Sequence, residues 1–166
     1  VTLESVPSSI VSWKDFRKNY PHGLLLSRDT GFNFPYDKLL YYGYDAPESW
    51  PILLKNLPDI RLPSMERVVG LTLDQISVAY PLSYIQRERV SHDTVNGVSF
   101  VILFNPDRSS RFPGDKGKEV RMIGATGVFK AMTGGKNLTF SLKNGQFRDA
   151  KTNSIWNIFG EATQGP

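Results

Sequence analysis

Two Asn-Gly dipeptides, each next to apolar segments, constrain the fold of this chain more than any other feature. Asn96-Gly97 separates Val90–Val95 from Val98–Phe104, and Asn144-Gly145 follows Leu138–Leu142. A two-residue hairpin turn needs positive φ angles, which glycine adopts without a steric cost and asparagine tolerates. Each dipeptide therefore predicts a β-hairpin, and together they predict antiparallel sheet structure.

The other apolar segments of residues 64–166 fit the same architecture. We predict strands at Arg67–Leu73, Ile76–Ala79 and a bent Val120–Ala131, and a strand or short helix at Thr152–Gly160. Pro81 favours a short helix directly after the second of these strands. The fold is therefore predicted to be mainly β (α+β by element count), an antiparallel β barrel or sandwich with two or more short helices.

Residues 1–63 differ from this β-rich body at 64–166. A short helix is predicted from Ser12, its capping residue, to Tyr20, and Leu24–Leu26 predicts a short buried strand. From Phe32 to Pro63 aromatic residues and prolines are frequent and no regular period persists, which predicts a long aromatic- and Pro-rich loop. Its rings either pack as core or as a lid, or they form a ligand surface.

The chain has 166 residues and no cysteine. The length predicts a single domain over residues 1–166, and the lack of cysteine excludes disulfides, thiolate nucleophiles and thiolate metal sites. His22 and His92 are too far apart in sequence to match a metal-ligand spacing. Neither an acidic calcium loop nor a Gly-rich phosphate loop is present, so we expect no metal and no cofactor.

The charge balance argues against nucleic acid as a partner. The chain carries 20 basic and 16 acidic residues, and its basic clusters at Arg108–Lys118 and Gln86–Arg89 include acidic residues. Such mixed clusters are typical of solvated loops rather than of a basic stripe. No segment approaches the roughly 18 consecutive apolar residues of a membrane helix. The expected partner is a small ligand or a protein, and the oligomeric state stays open.

Two Asp-Thr pairs suggest acid–base chemistry. Asp29-Thr30-Gly31 matches the tripeptide of aspartic proteases, which need two such loops that share one proton, but Asp93-Thr94 is followed by Val95 instead of glycine. His92 precedes Asp93 on a predicted strand, where adjacent side chains point to opposite faces, so these two cannot pair with each other. Asp29, Asp93 and His92 are the catalytic candidates of an acid–base hydrolase; the alternative is that each aspartate satisfies a local turn.

Several stretches, in this order along the chain, are similar to one known family: Leu26–Gly31, Tyr41–Asp45, Leu62–Gly70, Ala79–Leu82, His92–Gly97 and Asp149–Trp156. Together they resemble the prokaryotic (bacterial or archaeal) family catalogued as domain of unknown function 3179. The resemblance covers the later half of such proteins and the preceding linker, without the cysteine-containing earlier half. It implies a fragment or truncated member and a periplasmic or secreted location, with the leader not present in this chain.

The same resemblance, with the aromatic loop beside it, implies a ligand-binding set of polar residues: Arg28, Asp29, Tyr44, Asp45, His92 and Asp93. The main hypothesis is an extracytoplasmic, β-rich binding module without a complete catalytic constellation. The first alternative is the acid–base hydrolase that uses Asp29 and Asp93 with His92. The second is a structural half of a larger two-half protein.

Overall fold

The structure is a computed structural model, and it describes residues 8–36, 44, 46–52, 59–107 and 123–166. Within these residues the chain forms two helices, α1 (Trp13–Asn19) and α2 (Leu82–Glu88). The strands are β1 (Val68–Leu73), β2 (Ile76–Pro81), β3 (Val90–Val95), β4 (Val98–Asn105), β5 (Ala125–Lys130), β6 (Met132–Thr133), β7 (Lys136–Asn137), β8 (Phe140–Lys143), β9 (Gln146–Asp149), β10 (Ile155–Trp156) and β11 (Ala162–Gln164).

Both predicted hairpins are confirmed. Asn96 and Gly97 have φ angles of 49° and 75°, and Asn144 and Gly145 have φ angles of 51° and 75°. The first turn joins β3 to β4 and the second joins β8 to β9, with both strand pairs antiparallel. The turn chemistry therefore fixes the register of the two hairpins.

Strand β4 is the centre of a three-stranded sheet in the order β3-β4-β5. Its side chains alternate between two cores, since successive residues of a strand point to opposite faces. Val101 and Leu103 belong to one core, whereas Phe100, Ile102 and Phe104 belong to the other. This strand is buried on both faces, which explains its continuous apolar sequence.

A second sheet, in the order β11-β10-β9-β8, covers one face of the first. Its side chains Phe140 and Phe147 pack with Val101 and Leu103 in what we call the inter-sheet core. On the opposite face, the β1–β2 hairpin and α2 cover Phe100 and its neighbours. The described strands form separate antiparallel sheets, so the sandwich rather than the closed barrel fits this part of the chain.

The N-terminal helix begins as predicted. The Ser12 hydroxyl accepts a hydrogen bond from the Asp15 amide at 3.0 Å, and the helix ends at Asn19. The Tyr20 ring meets Phe159 edge-on at 5.1 Å between centroids, and its hydroxyl donates to Glu161 at 3.3 Å. Helix α1 is therefore attached to the loop that follows β10.

The strand predicted at Leu24–Leu26 is wrong. These residues are irregular, and the side chains of Leu24 and Leu26 are 95% and 87% exposed. A segment this short is stable as a strand only when it pairs with a neighbour, and no described strand pairs with it. The described parts of the aromatic loop are irregular as predicted, whereas residues 37–43, 45 and 53–58 lie outside the described residues.

The predicted bent strand is shorter than expected. Strand β5 begins only at Ala125, after Gly124 with a φ angle of 65°, and residues 120–122 lie outside the described part of the chain. A side chain at Gly124 would overlap the Phe104 ring. The segment predicted at Thr152–Gly160 contains β10 and then a turn.

Phe104 and Leu26 give a matched pair for testing these placements. Because Phe104 is fully buried, Phe104→Ala should lower the free energy of unfolding by about 3–5 kcal/mol. Leu26→Ala should change it by less than about 0.5 kcal/mol, since the side chain is already in solvent. Urea titration followed by circular dichroism measures both. A large loss at Leu26 would contradict its exposed position.

Candidate functional site

A pocket of about 160 Å³ lies between the two sheets at the edge of the inter-sheet core. We call it the inter-sheet pocket. Its wall is formed by Val101 and Leu103 on β4, Phe129 on β5, Phe140 on β8 and Trp156 on β10. The rest of the lining comes from Lys130, Met132, Thr133, Leu138 and Gly160.

One side of the pocket depends on the close approach of Phe129 and Gly160. Val101 and Phe129 are directly opposite each other on β4 and β5, so their side chains share a face. Gly160 has a φ angle of 78°, and a Cβ atom there would lie 2.6 Å from the Phe129 ring. Glycine at 160 is therefore required both by its backbone conformation and by the ring beside it.

Lys130 is the charged residue of the described lining. It lies opposite Phe100, whose side chain packs in the other core. Because directly opposed residues share a face of the sheet, the Lys130 side chain starts on that other face, and the residue is exposed to solvent. The described pocket wall therefore consists mostly of apolar side chains, with Lys130 and Thr133 as its polar residues.

Asp149 supports the pocket from behind. Its side chain is 1% exposed, and its carboxylate accepts five hydrogen bonds of 2.6–3.1 Å. The donors are the amides of Lys151, Thr152 and Ser154, the Thr152 hydroxyl and the Trp156 indole nitrogen. The network closes the turn after β9 and fixes the orientation of the Trp156 ring.

The pKa of Asp149 reflects this network. Burial alone raises the pKa, but the hydrogen bonds from Thr152, Trp156 and Lys151 outweigh burial and lower it from 3.8 to about 2. The carboxylate is therefore ionised at neutral pH and fully engaged by its own chain. It is a structural anion and has no lone pair directed at a ligand.

His92 joins the two sheets. Its Nε2 atom accepts a hydrogen bond of 2.9 Å from the Phe140 amide, and its ring stacks on the Phe140 ring at 6.3 Å between centroids. Because Nε2 accepts, the neutral ring carries its proton on Nδ1. Desolvation by burial lowers the pKa of His92, which favours this neutral form. The Phe140 ring in turn meets the Trp156 ring edge-on, at 5.4 Å between centroids. His92 therefore contacts the pocket wall through Phe140.

Asp93 lies on the opposite face of the same sheet. Its carboxylate accepts hydrogen bonds of 2.7 Å from the Tyr80 hydroxyl and the Thr94 amide. Burial, with the hydrogen bond and the charge of Asp93, raises the pKa of Tyr80 to about 12. His92 and Asp93 thus contact different layers of the protein.

The other residues singled out from the sequence lie elsewhere. Asp29 and Arg28 are exposed in an irregular segment, where the Asp29 amide donates to the Ser27 hydroxyl at 3.0 Å. Tyr44 is half-buried, and Asp45 lies outside the described residues. None of the hydrogen bonds among the described residues joins Asp29 to His92 or Asp93.

Sequence reasoning did not identify the pocket residues. The stretch from Asp149 to Trp156 carries part of the family resemblance, and its end overlaps the strand or short helix predicted at Thr152–Gly160. An aspartate followed by Thr, Asn and Ser is also a turn signal. That signal predicts a locally bonded carboxylate. It does not show that the turn is buried or that the Trp156 ring lines a pocket.

The described residues contain neither a metal cluster nor a membrane helix. Within ranges 8–36, 44, 46–52, 59–107 and 123–166, no three His, Asp or Glu side chains are grouped so that they could hold a metal ion. In the same ranges, neither helix has the length and apolar character needed to cross a bilayer.

Over its described residues the chain is a mainly antiparallel β protein with a small pocket between two packed sheets. The chain belongs to the family described as protein of unknown function (DUF3179), whose model matches residues 1–166, the whole chain. This confirms the resemblance seen in the short sequence stretches. No curated protein and no solved structure matches the chain.

Replacing Asp149 tests its structural role. Asp149→Asn places an amide donor among five donors, so we expect the free energy of unfolding at pH 7 to fall by about 2 kcal/mol or more. The folded pKa lies below the unfolded value, so the carboxylate's stabilisation is present above about pH 4 and is lost as the pH falls toward 2. The difference between wild type and variant should shrink over that range in urea titrations. Asp93→Asn, at an exposed position, is the control and should cost less.

His92 makes stability depend on pH in a different range. Its pKa is lowered in the folded state, so its contribution is complete above about pH 6.5 and decreases as the pH falls below that value. His92→Gln should remove this pH dependence of the unfolding free energy, whereas His22→Gln, at an exposed position, should leave it unchanged. Unfolding free energies measured from pH 8 to pH 5 test this. Identical pH profiles for wild type and His92→Gln would contradict it.

Proposed function

We propose that this protein is a binding module that holds a small ligand in the inter-sheet pocket. The observation that carries the proposal is the pocket itself, with mostly apolar side chains supplied by β4, β5, β8 and β10. Ligand sites are typically concave, mostly apolar and largely formed before the ligand arrives. The Trp156 ring in the wall is held by the Asp149 carboxylate, which is buried and accepts five hydrogen bonds. This part of the pocket is therefore formed before a ligand arrives.

The walls are supported on both sides, which favours binding without large rearrangement. Trp156 is held by Asp149 at 3.0 Å, and Phe140 is held by His92 at 2.9 Å. Each bond fixes a different strand of the second sheet. A preorganised wall lowers the entropic cost of binding.

The described contacts favour binding over the acid–base hydrolase. Such an enzyme needs two carboxyl groups that converge on one bond, at about 5–10 Å from each other in glycoside hydrolysis. Asp93 is bonded to Tyr80 and Thr94, and Asp29 lies in an exposed turn with Ser27. Among the residues proposed from the sequence that the structure describes, His92 contacts the pocket wall, through Phe140.

We also propose that the module works outside the cytoplasm, as a periplasmic or secreted protein. The support is membership of the family whose resemblance implied that location. Cell fractionation of the native host, with an antibody against this domain, tests the location. Recovery in the cytoplasmic fraction alone would overturn it without affecting the pocket.

Blocking the mouth of the pocket tests the binding function. Thr133 lines the pocket on β6, whereas Thr72 is exposed on β1, in the hairpin that covers the opposite face of the first sheet, and does not line the pocket. A calorimetric screen of sugars, peptides, anions and small aromatic compounds should yield a ligand whose affinity falls at least about tenfold in Thr133→Trp. Thr72→Trp, the matched control, should bind normally. Equal binding by both variants, or no ligand in the screen, would contradict the proposal.

A further inference from the structure

We infer that the ligand of the inter-sheet pocket is an uncharged molecule of single-ring size, bound through its hydrocarbon surface. This inference rests on the proposed function and specifies the chemistry of the ligand. It is carried by the volume of the pocket, by the atoms of its wall and by the direction of the nearby charges.

The volume limits the ligand to about one ring. The pocket measures about 160 Å³. A cavity of roughly 150 Å³ in another protein, lined by Leu, Ile and Phe side chains, stays dry and binds benzene. Drug-sized ligands use pockets of roughly 300–1,000 Å³. A sugar chain or a peptide backbone is therefore too large to enter whole.

The wall offers mostly hydrocarbon side chains, since seven of the ten lining residues are apolar. Val101, Leu103 and Leu138 are buried aliphatic residues, and Phe129, Phe140 and Trp156 add three aromatic rings. Several polar atoms of these residues already have partners. The Trp156 indole nitrogen donates to Asp149, and the Phe140 and Leu138 amides donate to His92 and to the Ala131 carbonyl.

No charged group is buried in the described wall. Lys130 belongs to the described lining, but the residue is exposed to solvent, and its register opposite Phe100 starts its side chain on the other face of the sheet. The Asp149 carboxylate lies behind Trp156 and is occupied by five donors. A charged ligand would lose its hydration without gaining a partner, which is strongly unfavourable.

The mouth of the pocket suits a small apolar ligand. Met132 is 53% exposed at the rim, and its flexible thioether can move to admit a ring. Thr133 beside it supplies one hydroxyl. That arrangement accommodates a ring with no polar group, or with a single neutral one at the mouth.

The test compares four probes of the same ring: toluene, benzyl alcohol, benzoate and benzylamine. We expect toluene and benzyl alcohol to shift the methyl resonances of Val101, Leu103 and Met132 saturably at pH 7. Benzoate and benzylamine should bind at least about tenfold more weakly, since neither charge finds a partner. Only the neutral probes should raise the melting temperature, because a ligand that binds the folded state stabilises it.

Two variants locate the binding. Thr133→Trp should abolish the shifts caused by toluene, whereas Thr72→Trp should retain them. If Thr133→Trp does not fold, as judged by its thermal unfolding, Met132→Trp blocks the same mouth from its exposed side. Shifts that persist in a folded blocking variant would place the probe elsewhere and overturn the inference.

The outcomes separate this inference from the proposed function. Charged probes that bind as tightly as toluene, and that are blocked by Thr133→Trp, would overturn the uncharged class but leave a functional pocket. If toluene does not bind, but a larger ligand from the calorimetric screen binds and is blocked by Thr133→Trp, the single-ring class is overturned and the functional pocket remains. Failure of all probes and of the whole screen would overturn both.

Discussion

The buried carboxylate of Asp149 is the interaction on which the second sheet and the pocket depend. A buried charge is tolerated only when hydrogen bonds replace its lost hydration, and here five donors do so. Four of these donors come from the turn that leads from β9 to β10. The fifth is the ring of Trp156, which forms part of the pocket wall. One anion therefore links the backbone of this turn to the shape of the inter-sheet pocket.

Local chemistry explains why part of the fold was predictable. The turns at Asn96-Gly97 and Asn144-Gly145 depend on two adjacent residues, so the sequence alone indicates both hairpins. The cap of α1 at Ser12 is similarly local. Leu24–Leu26 shows the limit, because three leucines form a strand only beside a partner. Whether a partner exists depends on the rest of the chain, which local patterns do not describe.

The site was harder to predict for a related reason. Alternation along β3 correctly separates His92 from Asp93, but it does not say what either face meets. His92 meets Phe140, which is 48 positions away in the sequence. The pocket joins residues from β4 and β10, whose proximity follows from the packing of two sheets. Such a site can be identified only from the packed sheets and not from local sequence patterns.

The contact of Gly160 with Phe129 has a consequence for how sequences of this family can diverge. Any side chain at position 160 would collide with the ring at 129, and it would also occupy a strained backbone conformation. A lineage that loses the glycine must therefore replace the phenylalanine with a smaller residue as well. The two positions are therefore expected to covary, and lineages with a different pair would contain a pocket of different volume.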